Sequence, residues 1–234
     1  MGRSCQSKVH RRNSFDCSWY NFQADSPTGS VRDRICFGMR GLLIKTSEER
    51  VGGFYVSFAV YGASQAGLAD TLKELKCRGF VSKDVNGINV FYEEEADSQD
   101  EDVILAVGTR VSKAVGKQVL AVLNHDDSVL MYWLFKAGKV VDTYNSAPGY
   151  FNDEDNTPVG GDTKKLCTAF ATKEASELIR EILTSEDYVF AVERHEALAA
   201  ALGMDPRLAC LGFEAINSGD FPAGVTKKDF VKAK

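Results

Sequence analysis

The stretch Gly53-Phe54-Tyr55-Val56-Ser57-Phe58-Ala59-Val60-Tyr61 decides how the rest of the chain is read. Side chains alternate between the faces of a strand, so Phe54, Val56, Phe58 and Val60 fall on one side with a period of two. Upstream the sequence has no apolar periodicity. Downstream, apolar runs of strand and helix length follow one another almost to the C-terminus. The break near residue 51 divides the 234 residues into a basic head, 1–50, expected to be largely disordered, and a body, 51–234, expected to fold as a single domain. A body of about 180 residues buries a sufficient core without disulfide or metal staples.

After the first strand, Ser64 is placed to cap a helix over 65–76 that carries Leu68, Leu72 and Leu75 on one face, with Gly79 closing it. The Asn86-Gly87 turn leads into a strand over 88–92. Residues 93–102 hold seven carboxylates in ten positions, a run expected to be a solvated face. Its last members fall in the first turn of a helix striped by Val103, Val107, Val111 and Val115, where acids suit the positive dipole end. Strands over 119–123, 129–135 and 140–144 are joined by Asn124-His125-Asp126-Asp127 and Lys136-Ala137-Gly138-Lys139, the pattern of an antiparallel meander. Helices are expected over 162–171, 173–183 and 192–202, then a closing strand over 211–216 and a basic tail. The class that follows is α+β: a mixed sheet, built strand-helix-strand-helix and then a meander, covered by helices.

Charge is unevenly distributed. Residues 1–50 hold nine Lys or Arg against five Asp or Glu, a balance of +4, so with −5 overall the remainder carries −9. An acidic body argues against a nucleic-acid partner, which needs clustered cations. No apolar stretch approaches the roughly 18 residues of a membrane helix, so no membrane partner is expected. The cysteines, at 5, 17, 36, 77, 167 and 210, have no close spacing and suggest no zinc site, and no motif implies a cofactor. No Asn-x-Ser/Thr sequon occurs. Reduced thiols and a cytoplasmic location follow. The alternative is an organelle, if residues 1–38 act as a transit peptide, since Arg3, Lys8, Arg11 and Arg12 stand among serines with no acid in the first fifteen positions. Translation starting at Met39 instead of Met1 is a second way to read the head. Trp19-Tyr20-Asn21-Phe22 is its one cluster suited to docking on the body.

Candidate chemistry is sparse. His125 and Asp126 pair an imidazole with a carboxylate, the elements of a general base and its orienting acid, yet Asn and Asp there equally build a hairpin turn. His195-Glu196 opens like a zinc-protease helix, but Ala199 stands where the second His belongs. A calcium loop counted from Asp153 meets Pro158 and Lys164 where Gly and Glu are required, and no metal is expected. Asp162 in Gly160-Gly161-Asp162-Thr163-Lys164 reads as a helix cap, because the phosphate-loop spacing is incomplete. The segment 145–161 is longer than loops in compact domains usually are. It carries Tyr150 and Phe151, a residue type enriched at interface hot spots. The expected function is therefore a non-catalytic domain binding a protein or small molecule through Tyr150 and Phe151. The alternative is a small hydrolase or transferase using His125 and Asp126 with His195 or a thiol.

Overall fold

Strand β1 (Tyr55–Tyr61) is buried at every position but its last, so it is covered on both faces. This computed structural model describes residues 53–151 and 155–233. The expectations for the head, its disorder, its targeting role, its start site and the Trp19–Phe22 cluster, fall outside those residues. On either side of β1 lie β3 (Ile88–Glu93) and β4 (Val119–His125), and the eight strands run in the order β7-β6-β5-β4-β1-β3-β2-β8. The others are β2 (Gly79–Ser82), β5 (Val129–Lys136), β6 (Lys139–Asn145), β7 (Val159–Gly160) and β8 (Phe230–Ala233). The class is α+β, as the sequence implies. The expectation of a mixed sheet is corrected, because every neighbouring pair runs antiparallel. Short hairpins make this possible: Asp126 and Asp127 both take positive φ, as do Ala137 and Gly138, and such paired left-handed residues match the twist of two-residue turns.

Two helices pack on one face, α1 (Gln65–Glu74) and α2 (Glu101–Val115), over Val56, Phe58, Val60, Phe91, Trp133 and Phe135. Ser64 caps α1 through Gly67 N, and Asp100 caps α2 through the amides of Asp102 and Val103. Gly79 does not close α1. It begins β2, where a Cβ would stand 2.3 Å from Tyr92 O, and Lys76 makes the left-handed turn instead. The opposite face is covered by α3 (Thr163–Phe170), α4 (Ser176–Thr184), α5 (Ala191–Ala201), α6 (Pro206–Ala209) and α7 (Phe213–Ser218). Buried Arg194 closes α4 by donating to the carbonyls of Ile182, Leu183 and Ser185 at 2.6, 3.0 and 2.7 Å. A cation at the carbonyl end of a helix is stabilised by those partial charges.

The strand expected over 211–216 is helix α7. Phe213 and Ile216 are three apart and share one buried helix face. Asp97 accepts from the amides of Phe213 and Glu214 at 3.1 and 2.9 Å, satisfying donors that an isolated helix start leaves open. The closing strand is β8, formed by the tail and paired to β2. Asp97 also shows that the acidic run is not simply solvated. Glu93, too, is buried, accepts from Ala96 N at 2.9 Å, and has its carboxyl raised above the usual range by desolvation.

Gly108 of α2 lies against β5, and a Cβ there would come within 2.3 Å of the Phe135 ring. Alanine gains about 1 kcal/mol over glycine inside a helix. Overpacking a filled core costs about 1–3 kcal/mol, and here it should win. Gly108→Ala is expected to lower the urea midpoint; an unchanged or higher midpoint would mean that α2 and β5 are not in close contact.

Candidate functional site

Alternation along β4 sends Leu123 and His125 to the α1–α2 face, and cross-strand pairing brings Met131 and Trp133 of β5 beside them. The helices stop short there. Thr143 pairs with Trp133 on β6 and is exposed, so the sheet face beyond β5 is open. In this corner lies a cavity of about 590 Å³ with Leu123, Met131 and Trp133 in its lining. Its rim carries Phe54 and Phe151, exposed by 56% and 72%, together with His125. Asp97 and Glu101 line the side nearest the start of α2.

His125 organises the rim. Its ring sits edge-on to Phe54, Tyr150 and Phe151, with centroids 5.1, 6.2 and 5.4 Å away. Such T-shaped pairs place the positive edge of one ring on the negative face of the other. Gln99 fixes the imidazole. Its Nε2 donates to Asn124 O at 2.8 Å, which leaves Oε1, 2.7 Å from His125 Nδ1, as an acceptor. His125 Nδ1 is therefore the donor in that bond. Gln99 itself adopts positive φ after the short helical turn Ala96–Ser98, a local geometry that its sequence did not advertise.

The histidines do not converge. His195, on α5, lies on the opposite face of the sheet, where its Nδ1 is 2.8 Å from Tyr55 Oη and the two rings stack. Burial pushes the imidazole down to about 3. Asp126 is exposed at the turn, so the composite arrangement of His125, Asp126 and His195 is not assembled. A thiol does reach the second histidine's neighbourhood. Cys210 lines a cavity of about 360 Å³ with Tyr55, Asp127 and Glu196. Burial first, then the charge and hydrogen bond of the Cys210 thiol, raise the Tyr55 hydroxyl well above its ordinary value. The phenol is held protonated and the imidazole resists taking up a proton, whereas nucleophilic catalysis needs a base that accepts one. Among the described residues, Cys77, Cys167 and Cys210 are not in disulfides. Among the described residues no three His, Cys, Asp or Glu side chains gather as metal ligands, and no helix is long and apolar enough to cross a membrane.

Comparison with known protein families, curated proteins and solved structures finds no match. The site rests on its own geometry. Tyr150 and Phe151 were legible in the sequence as aromatics in a turn-rich loop, and the structure sets them beside His125. Phe54 and Trp133 had a signal too, since each shares the parity of the α1–α2 face. Tyr55 and Cys210 had none, being 155 positions apart.

The buried imidazole sets a pH dependence. Unfolded, His195 gains its proton near 6.5; folded, only near 3. Between those values unfolding takes up a proton, so stability is present above 6.5 and lost as pH falls. The limit is about 1.4 kcal/mol per pH unit. From pH 7 to pH 4 the wild type should lose on the order of 2–3 kcal/mol more than His195→Gln, whose amide can keep the bond to Tyr55. Parallel denaturation profiles for the two proteins would rule this coupling out.

Proposed function

We propose that the body is a non-catalytic binding domain and that the cavity between α2 and β6 receives an apolar or aromatic group of a protein or small-molecule ligand. The observation that carries this reading is a pair of large aromatics, Phe54 and Phe151, left mostly exposed at the rim of a cavity with Trp133 in its lining. Water-exposed aromatic surface of this kind, gathered around a concave site where apolar side chains meet convergent polar ones, is a usual form of a ligand pocket. Asp97 and Glu101 give the lining a negative side, and aromatic faces also attract cations, so amine-bearing aromatic ligands suit it best. The acidic body continues to disfavour nucleic acid.

The hydrolase or transferase alternative draws its support from the Cys210 thiol beside Tyr55 and His195. Against it stands the depressed basicity of His195, which makes proton transfer from the thiol unfavourable. Binding is the stronger reading.

A thermal-shift screen of small aromatic amines tests it. Several should stabilise the protein, and the stabilisation should vanish in the Phe54→Ala, Phe151→Ala double variant. Because both side chains are exposed, the variant alone should unfold within about 0.5 kcal/mol of the wild type. Ligands that stabilise both proteins equally, or none at all, would sink this reading.

A further inference from the structure

Three features meet at the aromatic cavity: an exposed apolar rim, an acidic side, and the point where the head joins the body. Gly53 is the first described residue, and its neighbour Phe54 already forms part of the cavity wall. We propose that the protein's own head occupies this cavity in the full chain, seating the Trp19-Tyr20-Asn21-Phe22 cluster against Phe54, Trp133 and Phe151 and competing there with outside ligands. This rests on reading the cavity as a binding site and names its internal occupant.

Reach is the first argument. Thirty residues separate Phe22 from Gly53. A chain of that length reaches about 100 Å at most. The cavity wall begins one residue from the attachment point, so the linker is long enough with slack to spare. Tethering at that length gives an effective concentration in the millimolar range, which makes even a weak contact largely occupied.

Charge is the second. The head carries +4, and Lys8, Arg11 and Arg12 lie shortly before the aromatic cluster. Glu101 lines the cavity, and exposed Glu95, Asp100 and Asp102 stand close to it in the chain. The carboxylates of Asp97 and Asp100 are partly engaged, by the α7 amides and the α2 cap, but their negative charge remains. Opposite charges steer such an encounter and weaken as salt is raised.

Chemistry is the third. The cavity offers aromatic faces and edges, and residues 19–22 are the densest aromatic cluster of the head. Aromatic groups bury large area at small entropic cost, having few rotatable bonds.

The test uses full-length protein and a fluorescently labelled peptide of residues 8–23 carrying Cys17→Ser, followed by anisotropy. The peptide should bind the Trp19→Ala, Phe22→Ala variant about tenfold or more tightly than the unaltered chain, because the internal competitor has been removed. Binding should be lost in the Phe54→Ala, Phe151→Ala variant and should weaken with salt. Equal affinity for the unaltered chain and the head variant overturns the inference while leaving the cavity reading intact. Undiminished binding to the rim variant overturns the cavity as the docking place. Failure to bind any of the proteins overturns the inference as well, and the amine screen then judges the cavity by itself. A competitor effect that grows with protein concentration assigns the head to a second copy and overturns the intramolecular form.

Discussion

Burial of β1 on both faces is the constraint on which the rest depends. A strand exposed on one side needs one layer of cover, but Tyr55 to Val60 needs two. Helices α1 and α2 supply one layer and the cluster α3–α7 the other, so the sheet becomes the middle of three layers. The cover is unequal. Five helices extend over one face as far as Tyr144 on β6, whereas two helices on the other leave Thr143 in solvent. The open corner this creates is where the aromatic cavity lies. The candidate site is thus the residue of an uneven layering, not a loop added to a finished fold.

Two polar side chains hold that corner in shape. Asp97 gathers amides from β1 and from the start of α7, bringing together segments more than a hundred residues apart. Gln99, two positions later, ties Asn124 and His125 to the start of α2. Both belong to a run whose composition suggests nothing but hydration. Their effect is to fix the imidazole against which Phe54, Tyr150 and Phe151 pack. An aromatic rim held this way keeps its geometry when empty, which lowers the ordering cost of binding.

The far face shows how the same residue types serve stability instead. His195 and Tyr55 satisfy each other's polar atoms in the interior, and burial keeps both uncharged. Arg194, the preceding residue, is charged and buried but surrounded by three carbonyls at the end of α4. Adjacent positions on α5 thus answer burial in two ways, one by staying neutral and the other by recruiting the helix's unpaired oxygens.

The sequence by itself determined the local elements. Period-two alternation placed β1, apolar runs between short polar turns placed β4, β5 and β6, and the caps at Ser64 and Asp162 placed two helix starts within a residue. Those signals are local, because alternation and capping act over four residues or fewer. The hairpin at Asp126 and Asp127 was legible for the same reason. Tertiary structure alone decided the rest. It turned 211–216 into a helix by supplying Asp97, drew the tail into β8 by offering the unpaired edge of β2, and put His125 and His195 on opposite faces. It also set Phe54, Trp133 and Phe151 around one cavity. Each of these depends on contacts across tens to more than a hundred residues, whose partners a local pattern does not encode.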